Sequence, residues 1–219
     1  MGKPDIIYED NDIIVCYKPA GIATQTRRIG QQDMESFIRN YRAAKNEPPY
    51  VGIVHRLDQP VEGVMVFAKN QKAAASLSRQ IKEHTTEKYY RAASRGQGVS
   101  GADKKEDNHD PAWHTLTDYI SFDKRTNTSK ITSEKDRQAK KAVLQYRILS
   151  NECNKTEFDI KLLTGRHHQI RLQLANIGYP LIGDTKYGGE TAREQLALCS
   201  YKLVFDHPAT GERMTFELP

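Results

Sequence analysis

Residues 51–69, Val-Gly-Ile-Val-His-Arg-Leu-Asp-Gln-Pro-Val-Glu-Gly-Val-Met-Val-Phe-Ala-Lys, constrain the fold more than any other stretch. Two short, β-branched apolar runs, 51–54 and 64–68, are punctuated by Gly52, Pro60 and Gly63 and read as buried strands. The polar turn between them carries His55, Arg56 and Asp58 on backbone held at both ends. Polar groups on rigidly supported loops are where chemistry is usually found. The same turn also reads as a strand connection closed by an Arg–Asp ion pair, worth roughly 0 to 1 kcal/mol when exposed.

With 219 residues the chain is long enough to bury a core without disulfides or metals, and no linker divides it, so a single domain over 1–219 is expected. Its charge of +5 and pI of about 9.0 make a polyanion such as nucleic acid a natural partner. Cys16, Cys153 and Cys199 are isolated and odd in number, which argues against a disulfide framework or zinc ribbon and fits a reducing cytoplasm. Asp5, Glu9, Asp10 and Asp12 occupy the start, where a signal peptide would be basic and then apolar. The longest apolar runs, 13–17 and 64–68, are five residues, against ~20 for a membrane span. A mean hydropathy of −0.72 reflects polar stretches at 95–111 and 123–141, both expected to be exposed loops.

Strands at 6–8 and 13–17 around Asp10-Asn11-Asp12 predict an opening hairpin. In 31–45, Met34, Phe37, Ile38 and Tyr41 follow helical spacing, with Arg39, Arg42 and Lys45 on other faces. Asn70 is the expected N-cap of a helix running to about His84, with Ala74, Leu77, Ser78 and Ile81 inward. Strands follow at 89–93, 116–122, 144–149 and 157–163. Ile170, Leu174 and Ile177 then predict a helix ended by Gly178 and Pro180, and strands at 196–205 and 214–218 close the chain. Short strands joined by hairpins, with two or three helices, predict an α+β fold: a largely antiparallel mixed β-sheet core with flanking helices. Arg166, His167 and His168 fall at a strand-to-helix junction, where backbone N–H groups are available to a phosphate.

Residues 164–189 begin Thr-Gly-Arg-His-His-Gln-Ile-Arg and end in Gly-Asp-Thr-Lys-Tyr-Gly-Gly. Together with 51–69 they closely resemble the RluA family of RNA pseudouridine synthases, whose signatures are HRLDxxTSG and GRTHQIR followed by a distal GDxxYG. Asp12-Ile-Ile-Val-Cys-Tyr-Lys-Pro-Ala-Gly21 looks like the family's opening strand and Lys-Pro-x-Gly turn, and Lys88-Tyr-Tyr-Arg-Ala92 its Lys-x-Tyr-x-Ala segment. Residues 203–212 resemble its closing strand. Three departures stand out: Val61-Glu62 for Thr-Ser, His167 for Thr, and Cys199 where His is frequent. The resemblance implies a pseudouridine synthase catalytic fold acting on rRNA or tRNA; the short lead before the first motif gives the expectation of no S4-type N-terminal domain, and a cytoplasmic monomer is expected.

Pseudouridine formation breaks the C1′–N1 bond of uridine, turns the uracil and rejoins it through C5, with no redox step. It needs a positioned carboxylate, an enclosure for the released uracil, and a cation that keeps the carboxylate ionised. The resemblance assigns the carboxylate to Asp58, the cation to Arg166 and base stacking to Tyr90, with Tyr89 as the register alternative. It implies neither cofactor nor metal. A uridine stacked in folded RNA must flip out, at a few kcal/mol, and Arg56 is suited to fill the vacated stack or hold a phosphate. His55, His167, His168, Arg171 and Lys69 are the further RNA-binding candidates, and Lys18 is a possible phosphate contact.

Two other classes compete. A non-catalytic RNA-binding factor would not need Asp58, Tyr90 and Arg166 together. A metal hydrolase built on His55, Asp58, His167 and His168 lacks the local HExxH or HxH spacing that metal clusters favour.

Overall fold

The computed structural model describes residues 4–26, 28, 30–95, 112–152, 154–188 and 194–219. They fall into two compact units, one formed by Met1–Lys88 with Ser200–Pro219 and the other by Tyr89–Cys199. The expected loop at 95–111 lies, beyond Arg95, outside the described residues.

In the first unit, β1 (Asp5–Glu9) and β2 (Ile13–Lys18) form the expected hairpin. The short β3 (Gly52–Ile53) and β4 (Glu62–Ala68) flank the motif turn. The strand path is β1-β2-β4-β10, where β10 is Leu198–Asp206; β3 also pairs β4, and β11 (Arg213–Glu217) pairs β10. The unbroken apolar runs have a physical reason. Ile13, Val15, Val64, Val66 and Ala68 pack on Ala73 and Leu77, while Ile14, Cys16, Met65 and Phe67 on the alternate positions are buried as well. A strand covered on both faces reads as continuous rather than alternating. Burial also pushes the Cys16 thiol up to about 12, leaving it protonated.

Two helices complete this unit. Helix α1 (Met34–Ala44) starts with a capping box in which Asp33 accepts the Ser36 N–H at 2.7 Å and Ser36 Oγ accepts the Asp33 N–H at 3.0 Å. Arg42, expected on a solvent-facing side, is 4% exposed instead. Its guanidinium donates to the carbonyls of Tyr50 and Lys69 and to Glu47, so it ties the helix to the two ends of the motif segment. Helix α2 (Gln71–Lys82) is capped by Asn70, whose side chain accepts the Ala73 N–H at 2.8 Å. Its buried residues are Ala73 and Leu77, whereas Ser78, expected inward, is exposed.

In the second unit the path is β5-β9-β8-β6-β7, with β5 Glu87–Ser94, β6 His114–Asp123, β7 Thr128–Thr132, β8 Lys140–Glu152 and β9 Lys155–Leu162. Its pairs β5·β9, β9·β8, β8·β6 and β6·β7 are all antiparallel. Strand β7 corrects the expected loop at 123–141. Ile131 packs against the Ile120, Ala142 and Leu172 cluster and Ser129 is buried, so cross-strand pairing overrides a basic, polar local composition. Helix α3 (Gln169–Asn176) is buried at every position from Gln169 to Leu174. It therefore lacks the one-sided pattern expected from Ile170 and Leu174. Among the described residues the architecture is α+β, with three helices and a mixed, mostly antiparallel set of strands.

Candidate active site

The turn bearing Asp58 is braced by the Lys-Pro-x-Gly turn after β2. Lys18, which closes β2, is 0% exposed, and its Nζ donates to the carbonyls of Pro19 at 3.1 Å, Ile22 at 2.6 Å and Gln59 at 3.2 Å. Gly21 N–H donates to Gln59 O at 2.8 Å, and Gln59 Nε2 returns a bond to Gly21 O at 3.0 Å. Thr24 brackets the next residue back: its hydroxyl donates to Leu57 O at 2.9 Å and accepts the Leu57 N–H at 3.1 Å. Two segments that look separate in sequence thus form one support, with Asp58 half-buried between Leu57 and Gln59.

Lys18 is therefore no phosphate contact but a buried brace. Burial pushes its ammonium down to about 8, opposed by the carboxylates of Asp58 and then Glu62. Between about 8 and the ordinary 10.5 the unfolded chain holds a proton that the folded one has released, so this group's contribution to stability rises with pH there. Activity should move the other way, because the brace loses its charge. Turnover of the wild type is expected to fall as pH passes about 8, without a matching drop in melting temperature. Lys18→Met should be slower throughout and lack that limb; an identical alkaline limb in both proteins would remove Lys18 from the site.

The other candidates in this unit separate clearly. Arg56 is exposed beside Asp58, as a group that meets RNA must be. His55 is half-buried, and its Nε2 accepts the Val66 N–H at 3.1 Å. Burial, helped by Lys88, pushes its pKa down to about 3, so the ring is neutral and acts as a backbone anchor. Lys69 is also turned inward, paired with Glu9 at 2.8 Å and Glu47 at 2.9 Å, which leaves its ammonium committed within the protein. The departure at Val61-Glu62 is accommodated locally. Val61 is buried, and Glu62 accepts the Tyr17 hydroxyl at 2.8 Å.

Tyr90 and Arg166 belong to the second unit. Tyr90 is buried on β5 opposite Ile160 of β9, while Tyr89, facing the other way, has the Lys161 ammonium 5.3 Å from its ring. The turn into α3 is organised by Gln169, whose Oε1 accepts from Thr164 Oγ1 at 2.8 Å and from the Arg166 N–H at 3.0 Å. Arg166 Nε donates to Lys141 O at 2.9 Å. The Gln169 N–H goes to Arg166 O, so the N–H groups of Arg166 and Gln169 are engaged internally rather than offered to a phosphate. Residue His168 makes the turn in the left-handed region, at φ 55°. Arg171 is 4% exposed and makes a bidentate pair with Asp184, with both contacts at 2.7 Å. The distal Gly-Asp motif thus serves Arg171, a link that a separation of 13 residues hides from local spacing.

Among the described residues one group has metal-like clustering: Asp10, Asp12 and His207. His207 Nδ1 accepts the Thr210 N–H, so Nε2 carries the proton and donates to Asp10 at 2.9 Å. Both ring nitrogens of His207 are thus already engaged in hydrogen bonds. No helix of the described chain is long and apolar enough to cross a membrane.

With an Asp-bearing turn braced from beneath and an Arg-led turn opening a buried helix, the chain takes its place among RNA-modifying isomerases. The pattern of the RNA pseudouridylate synthase family matches residues 12–176, and the chain belongs to that family, in its RluA branch. It is 33% identical over 222 residues to the Bacillus subtilis "Uncharacterized RNA pseudouridine synthase YhcT", spanning 100% of this chain and 69% of that protein. It is 34% identical over 233 residues to the Pseudomonas aeruginosa "Ribosomal large subunit pseudouridine synthase D", spanning 98% and 68%. Among solved structures, "Human RNA Pseudouridylate Synthase Domain Containing 1" shares the fold at a TM-score of 0.74 and 24% identity, over 99% of this chain and 83% of that one.

Proposed function

We propose that this isomerase converts specific uridines of structured ribosomal RNA to pseudouridine, with Asp58 as its catalytic carboxylate and 1–219 acting as one catalytic domain. The observation that carries the reading is the bracing of Asp58: Lys18 and Thr24 fix the backbone on both sides of it. A group so held loses little freedom on reaching its transition-state position. In this reading Arg166 is the cation that serves the carboxylate, Tyr90 stacks on the uracil, and exposed Arg56 takes the space the flipped base leaves. In the reaction the C1′–N1 bond breaks, C1′–C5 forms, C5 gives up its proton and N1 gains one. Ribosomal RNA is preferred to tRNA because the Pseudomonas aeruginosa relative is named for the large ribosomal subunit.

The test is a comparison of pseudouridine maps of total RNA with and without this gene, followed by turnover on the mapped RNA. One or a few uridines of ribosomal RNA should lose the modification. Purified protein should restore them in EDTA, since the isomerisation is redox-neutral. Lost sites confined to tRNA would overturn the substrate, and activity that EDTA abolishes and zinc restores would overturn the chemistry.

A further inference from the structure

The second unit carries an aromatic ladder that the isomerisation does not use. Phe122, near the end of β6, lies 4.3 Å centroid to centroid from His167, which stacks at 3.7 Å and 31° on His168, which in turn meets Tyr187 edge-on at 5.5 Å. Ser129 on β7 locks the inner rungs. Its Oγ donates to His167 O at 2.9 Å, so in the 3.0 Å contact with His167 Nδ1 the imidazole is the donor. Its N–H donates to the Tyr187 hydroxyl at 2.9 Å, and that hydroxyl is hydrogen-bonded to His168 Nδ1 at 2.8 Å. Burial, with Arg171 nearby, pushes His168 down to about 3, so the buried rung stays neutral.

The outer rung is different. Phe122 is 38% exposed, on a hairpin whose turn is polar and mostly basic in charge. Lys124, Arg125 and Lys130 are exposed there, and Lys186 Nζ donates to Asn127 O at 2.7 Å, which brings a fourth cation to the hairpin. Asp123 is the one carboxylate in 123–131, and it accepts the Arg125 N–H. A flat aromatic face held rigid from behind, on a hairpin whose turn carries Lys124 and Arg125 and is met by Lys186, matches a nucleobase with its flanking phosphates better than an apolar protein surface. His167, one of the chain's departures from the family pattern, is the rung that supports it.

We propose that Phe122 is a stacking platform for an unpaired base of the RNA substrate, with the β6–β7 hairpin cations holding the phosphates on either side. This rests on RNA being the substrate, as set out above, and adds a specificity site remote in sequence from Asp58. It predicts a preference for RNA with a single-stranded nucleotide near the modified uridine.

The experiment measures binding of a fluorescein-labelled stem-loop RNA with uridine in its loop, and of a fully paired duplex of the same length. Base–aromatic stacking is strong enough that Phe122→Ala should weaken stem-loop binding by roughly ten-fold. Duplex binding should stay nearly constant. Phe122→Trp should restore stem-loop affinity, whereas Phe122→Leu, apolar but without a ring face, should not. The salt slope should survive Phe122→Ala and become shallower in a Lys124→Gln, Arg125→Gln double variant. Stem-loop binding by Phe122→Ala within two-fold of wild type, or rescue by Leu equal to that by Trp, overturns the platform. Because the readout is binding, wild type that shows this pattern yet makes no pseudouridine would defeat the isomerisation reading and leave the platform standing.

Discussion

Asp58→Asn is expected to leave the protein folded and bound to RNA while pseudouridine formation falls below detection. The substitution keeps the size and nearly the shape of the side chain and removes the charge that makes it a nucleophile or base. The backbone brace is untouched, because the bonds from Lys18 and Thr24 end on the carbonyls of Gln59 and Leu57, not on the Asp58 side chain. The nearest carboxylate along the chain, Glu62, lies four residues on, across Pro60, and is held by Tyr17. If Asp58 were only a structural ion-pair partner, binding, turnover and melting temperature would decline together, by roughly 3 to 5 kcal/mol in stability. Melting alone does not separate the two, since losing the charge opposite a cation costs stability in either case. The deciding assay is single-turnover release of tritium from C5-labelled uridine by folded, RNA-bound variant. A rate within about ten-fold of wild type would overturn the mechanism, as that is only ~1.4 kcal/mol of barrier.

Arg171→Leu should cost stability instead of RNA affinity. Burial alone would raise the Asp184 carboxyl, but the Arg171 guanidinium and the N–H groups of Lys186 and Tyr187 more than offset it and hold its pKa below the ordinary range. A carboxyl lowered in this way contributes stability above its unfolded pKa and loses it as pH falls toward the folded one. Removing Arg171 strands a carboxylate that is 0% exposed, with an expected loss of about 3 to 5 kcal/mol at neutral pH. In the variant the carboxyl takes up a proton easily, so the deficit should shrink as the pH is lowered toward 4. Arg171→Leu combined with Asp184→Leu should recover much of the loss. Denaturant unfolding at neutral and acid pH checks both points. If Arg171 met a phosphate instead, the variant would unfold like wild type and show a salt slope shallower by about one.

The elements that local pattern marks are those whose reasons are local. Asn70 caps α2 through its own neighbour Ala73, and Gly178, at φ 88°, ends α3 where the spacing of Ile177 and Gly178 places it. The hairpin of β1 and β2 follows from two apolar runs around a polar turn. Motif resemblance likewise brought Asp58, Tyr90 and Arg166 forward as candidates. Charge was read less well, because whether a cation faces water depends on partners that only the folded chain supplies.

Lys18, Arg42, Lys69 and Arg171 all look like ordinary basic residues: helical spacing sets Arg42 off the apolar face, and the other three read as phosphate contacts. Each has at least one acceptor far along the chain: Gln59 for Lys18 at 41 residues, Lys69 O for Arg42 at 27, Glu9 for Lys69 at 60. Strand β7 was hidden for the same reason, since its apolar content is one half-buried Ile131 whose packing comes from β6, β8 and α3. By itself the sequence determined the α+β class, the order of the helices and of the strands other than β7, and the turn that carries Asp58. Only the tertiary structure decided which cations brace that turn and which reach solvent. Burying a charge is unfavourable until several long-range acceptors converge on it, and that convergence is a property of topology, not of any local stretch.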